Sequence, residues 1–138
     1  MNTREYGRLG ETSAAEFLEA EGYTVIARNV QVGHDEIDIL AEKDGYIIFA
    51  EVKTRRQTPD SITPFGTPAA AVNDKKQNNL IRAADGYIAA NPTDRSPRID
   101  VVEVYADPSS DEYKVLEIRH YENAVKRRGR FSRNPRRK

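Results

Sequence analysis

The sequence predicts an α/β domain in which helices flank a mixed β-sheet, in the order αβββαββ. Two stretches carry apolar residues at helical spacing, and five short runs are rich in β-branched residues. An Asp-Gly dipeptide separates the second run from the third. Strands and helices alternating in this way pack as a sheet covered by helices.

Residues 3–21 predict the first helix, with Tyr6, Leu9, Ala14, Phe17 and Leu18 on one side and Gly22 as its stop. Residues 23–30, YTVIARNV, predict a strand, and Gly33-His34 breaks it. Strands follow at 36–43 and 46–54. Residues 56–68 hold Pro59, Pro64 and Pro68 and predict a long loop, a candidate binding element. Thr67-Pro68 predicts an N-cap and a first-turn proline. The helix it opens runs to about Ala90, with Ala71, Val72, Leu80, Ile81, Ala84, Tyr87 and Ile88 inward. Strands at 98–105 and 113–119 complete the order.

Asp44-Gly45 fixes more than a turn. A two-residue type I′ loop needs positive φ at both positions, which Asp-Gly tolerates. Lys43 then pairs with Tyr46, Leu40 faces Phe49, Asp38 faces Glu51, and Glu36 faces Lys53. Alternation gives one wholly apolar face, Ile37, Ile39, Ala41, Ile48, Ala50 and Val52, predicted to be the buried one. The other face sets two carboxylates about 5 Å apart at Cβ, which destabilises a sheet unless a cation offsets the repulsion. Oxygen ligands suit Mg²⁺ or Mn²⁺, with the Val52 carbonyl as a further donor. Lys53, on the same side as Glu51, suits a reacting water or phosphate. The plain alternative is a solvated pair on a wet face.

Composition narrows the function classes. The 138 residues suit one domain, and none is cysteine, which excludes disulfides and thiolate metal sites and fits a cytoplasmic protein. No apolar run is long enough to span a membrane, and the N-terminus predicts no secretory signal. The formal net charge is zero, yet residues 126–138, KRRGRFSRNPRRK, carry eight Lys or Arg and no acid. That leaves 14 basic against 22 acidic residues in the rest. The expectation is a domain over residues 1–125 and a disordered basic tail over 126–138 that binds a polyanion through Lys126, Arg127, Arg128 and Arg130.

Asp38 with Glu51-Val52-Lys53 resembles the PD-(D/E)xK nuclease signature, without a proline beside Asp38. More closely, the chain resembles the bacterial YraN family of endonuclease-like proteins. The likeness runs from Gly7 to about Val104, through Gly10-Glu11, Gly22-Tyr23, Arg28-Asn29, Glu36-Ile37-Asp38, Glu51-Val52-Lys53-Thr54-Arg55, Lys76-Gln77 and Asp100-Val101-Val102. It implies the three-layer restriction-endonuclease-like fold, similar to archaeal Holliday-junction resolvases. It also implies Asp38 and Glu51 as metal ligands, Lys53 as the catalytic lysine and Glu11 as an additional acid at the site. Asp35 stands where the family usually has glycine.

Arg55 and Arg56 after the lysine suit the rim of a polyanion site. Gln77 is a candidate to hold the lysine or approach a phosphate, while Lys75, Lys76 and Arg82 share one side of the second helix. His34 reads as an exposed loop histidine, and His120 carries no argument beyond its place at a strand end. The leading expectation is a Mg²⁺- or Mn²⁺-dependent endonuclease acting on DNA, branched or repair intermediates included. The alternative is a non-catalytic nucleic-acid-binding protein on the same fold. DNA versus RNA, and monomer versus homodimer, stay open.

Overall fold

A computed structural model of the chain describes residues 2–58 and 73–126. Helix α1 spans Thr3–Ala20, strands β1, β2 and β3 span Thr24–Val32, Asp35–Lys43 and Tyr46–Arg55, helix α2 spans Asp74–Ala90, and β4 and β5 span Ser96–Ala106 and Val115–Val125. The five strands stand in the order β1-β2-β3-β4-β5. Only β3 and β4 run parallel, joined across α2; the other neighbours are antiparallel.

Each helix buries one face of the sheet. Ala14, Ala15 and Leu18 of α1 pack on Ile39, Ala41, Ile48, Ala50, Val102 and Val104. Leu80, Ala83 and Ala84 of α2 pack on Leu40, Ile47, Phe49, Ile99 and Val101. This is the three-layer restriction-endonuclease-like fold in the predicted order. Among the described residues no helix is long and apolar enough to cross a membrane.

Local chemistry explains the boundaries. Asn2 caps α1 reciprocally with Glu5, each side chain accepting the other's backbone N–H. Gly22 ends the helix at φ +96°, a conformation costly for other residues. Gly10 lets α1 lie close on the sheet, because a Cβ there would collide with the Thr54 side chain.

Several expectations need correcting. The capping residue of α2 is Asn73, whose side chain accepts from the Lys76 N–H, and not Thr67. The loop prolines, Thr67-Pro68, Ala71 and Val72 lie outside the described residues, as does the tail from Arg127 onward. The last strand runs 115–125 rather than 113–119. The hairpin's second face is also not wet. Leu40, Ile47 and Phe49 lie buried beneath α2, so the sheet interior is apolar on both sides. Alternation alone could not show that α2 would cover it.

Candidate metal centre at the end of the hairpin

The hairpin has the predicted register. Asp44 and Gly45 both take positive φ, and Lys43↔Tyr46 through Ile39↔Ala50 pair in sequence. The ladder stops there, one residue short of Asp38 and Glu51. In an uninterrupted ladder Val52 would face Ile37. Instead the Val52 N–H donates to Asp38 Oδ2 at 2.8 Å, so a carboxylate replaces a strand carbonyl. The N–H and C=O of one strand residue face the same neighbour, which turns the Val52 carbonyl toward β2 as well.

Strand β2 also changes character at Asp38. Ile37 belongs to the cluster beneath α2, whereas Ile39 belongs to the one beneath α1. The prediction that the two share one buried face therefore fails. On the β1 side, Arg28 pairs with Ile39 and Val30 with Ile37, leaving Asn29 opposite Asp38 at φ +54°. Asparagine tolerates this left-handed conformation better than most residues. Its side chain also lies near enough to Glu11 of α1 to oppose the rise in that acid's pKa. Asn29 is thus a site residue that sequence reasoning passed over; its polar side chain inside a β-branched run was the signal.

Three acids lie near this break, each in a different setting. Burial, followed by the charge of Asp38, pushes the Glu51 pKa from 4.5 up to about 7. Burial likewise raises Asp38, against the opposing Val52 hydrogen bond. Glu11 is raised by burial and then by Asp38, although Arg28 and Asn29 oppose the rise. Lys76 of α2 sits 3.5 Å from Glu51 Oε2, while the buried Glu51 Oε1 has no hydrogen-bond partner among the described residues. A buried carboxylate oxygen without a donor is costly. The donor set, two neighbouring carboxylates with a strand carbonyl beside them, suits the chemistry of a hard divalent cation. Among the described residues, however, no three His, Cys, Asp or Glu side chains converge as a metal-binding group. Glu11 is thus near the pair electrostatically without forming a third side-chain ligand.

Two clefts flank the break. On the α1 side, a cleft of about 570 Å³ is lined by Tyr6, Gly7, Glu11, Val52, Lys53 and Arg56 among others. On the α2 side, one of about 270 Å³ is lined by His34, Asp35, Glu36, Asp38, Lys76 and Asn79. The structure thus separates the lysines, with Lys53 in the first cleft and Lys76 in the second. Arg55 is engaged by Glu103 at 3.4 Å, whereas Arg56 is exposed and lies over the Tyr6 ring. Gln77 is half-buried on α2 beside Lys76, and Lys126 is exposed. Asp35, at the position of the usual family glycine, takes a bidentate ion pair from Arg82 at 2.9 Å, so its added charge is neutralised locally.

The profile of "Uncharacterised protein family UPF0102" matches residues 10–104, which include α1 from Gly10, the hairpin, α2 and most of β4. The chain belongs to the UPF0102 family. A UPF0102 protein of Symbiobacterium thermophilum is 46% identical over 107 residues, covering 77% of this chain and 86% of its own length. One of Caldicellulosiruptor saccharolyticus is 38% identical over 125 residues, covering 90% and 99%. One of Chloroherpeton thalassium is 40% identical over 111 residues, covering 79% and 82%. The UPF0102 match thus spans Glu11, Asp38, Glu51, Lys53 and Lys76 and stops before the basic tail.

Proposed function

We propose that this UPF0102 protein is a metal-dependent nuclease that hydrolyses phosphodiester bonds in DNA, branched and repair intermediates included. The observation that carries the reading is the desolvated Asp38–Glu51 pair at the broken end of the hairpin, with one Glu51 oxygen lacking a donor among the described residues. Asp38, Glu51 and the Val52 carbonyl would hold Mg²⁺ or Mn²⁺, which when bound supplies an activated water and neutralises phosphate charge. The Val52 N–H orients Asp38. Lys53 would stabilise charge developing on the phosphate from the α1 side. Lys76, now beside Glu51, would be released toward the phosphate backbone once the pair is otherwise neutralised. Arg56 and Gln77 would contact the backbone further out, with the basic segment from Lys126 through Arg130 adding affinity and Arg55 held in reserve by Glu103.

A second reading, a non-catalytic nucleic-acid-binding protein on the same fold, is favoured by the lack of a three-side-chain ligand group among the described residues. Incubation with branched, single-stranded and duplex DNA and with RNA, in Mg²⁺, Mn²⁺ or EDTA, separates the two. Cleavage that needs metal and is lost in Asp38→Asn supports the nuclease. Binding without cleavage of any substrate supports the second reading.

A further inference from the structure

Helix α1 carries a glycine that packing does not require. Gly10 must be glycine because Thr54 lies against it, but among the described residues a Cβ added at Gly7 would meet nothing within 4 Å. A helical glycine is less favourable than alanine, and here no close neighbour among the described residues repays the difference. Gly7 faces the α1-side cleft of about 570 Å³, which also holds Lys53 and Arg56. The Arg56 guanidinium stands 4.6 Å from the Tyr6 ring centre, a contact that restrains it at the cleft wall. Tyr6 is itself 6% exposed, and its buried hydroxyl has no partner among the described residues. At the other end of the lining, Glu11 lies within electrostatic reach of Asp38. The cleft therefore combines a bare stretch of helix backbone with two cations, and it adjoins the carboxylate pair.

We infer that this cleft seats one unpaired nucleotide of the substrate strand next to the phosphate that is cut. The inference rests on the nuclease reading for its connection to chemistry but not for binding. Its volume lies in the range of small-ligand sites. A base inside a duplex would have to leave the stack to enter, at a cost that a single strand has already avoided. Lys53 and Arg56 supply the charge that the sugar-phosphate needs, and the missing side chain at position 7 gives the nucleotide room against the helix. Glu11 disfavours phosphate at its own end, which sets the direction in which the strand lies.

The test is binding in EDTA, so neither metal nor cleavage enters. The probes are a fluorescein-labelled oligothymidylate of about 12 nucleotides and a blunt duplex of the same length. Gly7→Leu fills the cleft from a position with open space, and its melt should match or exceed that of the wild type. It should weaken single-strand binding about tenfold, and Arg56→Ala should do so to a similar degree. Duplex binding should change much less. Wild-type affinity in Gly7→Leu would overturn the inference, and an equal loss on the duplex would overturn the unpaired strand as occupant. Loss of single-strand binding in a protein that never cleaves would keep the cleft and remove the nuclease reading. Unchanged binding in Gly7→Leu with metal-dependent cleavage lost in Asp38→Asn would do the reverse.

Discussion

Two acid sites on the sheet are treated in opposite ways. Asp100 on β4 is fully buried, yet every part of its carboxylate is engaged. Arg98 donates to both oxygens at 2.9 Å, His120 Nε2 lies 2.7 Å from Oδ2, and the Asn123 N–H reaches Oδ1 at 2.9 Å. Burial alone would raise its pKa, but the hydrogen bonds from His120, Arg98 and Asn123 prevail and hold it below the ordinary value. The network continues through Arg98 to the Tyr23 hydroxyl. At the hairpin end the balance reverses: Asp38 and Glu51 lie side by side, burial prevails, and both are raised. A satisfied buried acid ties β4 to β5, whereas the Asp38–Glu51 pair is left short of donors among the described residues.

Removing each acid should sharpen that contrast. Asp100→Ala strands Arg98 and His120, and breaking a buried pair in this way costs about 3–5 kcal/mol; urea denaturation should show it. Asp38→Asn should hold or raise metal-free stability, by up to about 1 kcal/mol, since it relieves a like-charge pair. Equal destabilisation by both would erase the distinction between the two sites.

The pH dependences should run in opposite directions. A depressed carboxylate contributes stability that is present above its unfolded pKa and lost as pH falls through the folded one. Asp100 therefore supports the fold at neutral pH and weakens it in acid below the ordinary aspartate value of 3.8. Glu51 has a raised pKa, so in EDTA its contribution is present below 4.5 and lost as pH rises through about 7. Melts across that window should slope downward for wild type and flatten for Glu51→Gln. A slope unchanged by that substitution would mean that Glu51 is not the titrating group.

The smallest effect should come from Arg82→Ala. Its partner Asp35 lies at the mouth of the α2-side cleft, but Arg82 itself is largely exposed. Exposed ion pairs add little, so the melt should not move measurably.

How far the sequence could be read follows from how local each determinant is. Asp44-Gly45 carries its own turn geometry, so two residues sufficed to place Asp38 and Glu51 at the same end of one hairpin. The end of the ladder at that point was not legible, since it depends on Val52 choosing a side chain over a carbonyl and on Asn29 turning left-handed across from it. Likewise, β5 extends to Val125 through Asn123, at φ +53°, whose N–H bonds Asp100 twenty-three residues away in sequence. No window around His120 reveals Asp100, so its role stayed hidden. The division of Lys53 and Lys76 between two clefts is similarly a product of helix packing.

The central claim is that the hairpin end holds a divalent cation, and calorimetric titration of Mn²⁺ into the metal-free protein tests it without a substrate. Wild type should bind one ion per chain, with affinity rising as pH increases through about 7, where Glu51 gives up its proton, and Asp38→Asn should lose that binding while melting no lower than wild type in EDTA. Binding by Asp38→Asn with wild-type affinity, or no saturable binding by the wild type, would contradict the account.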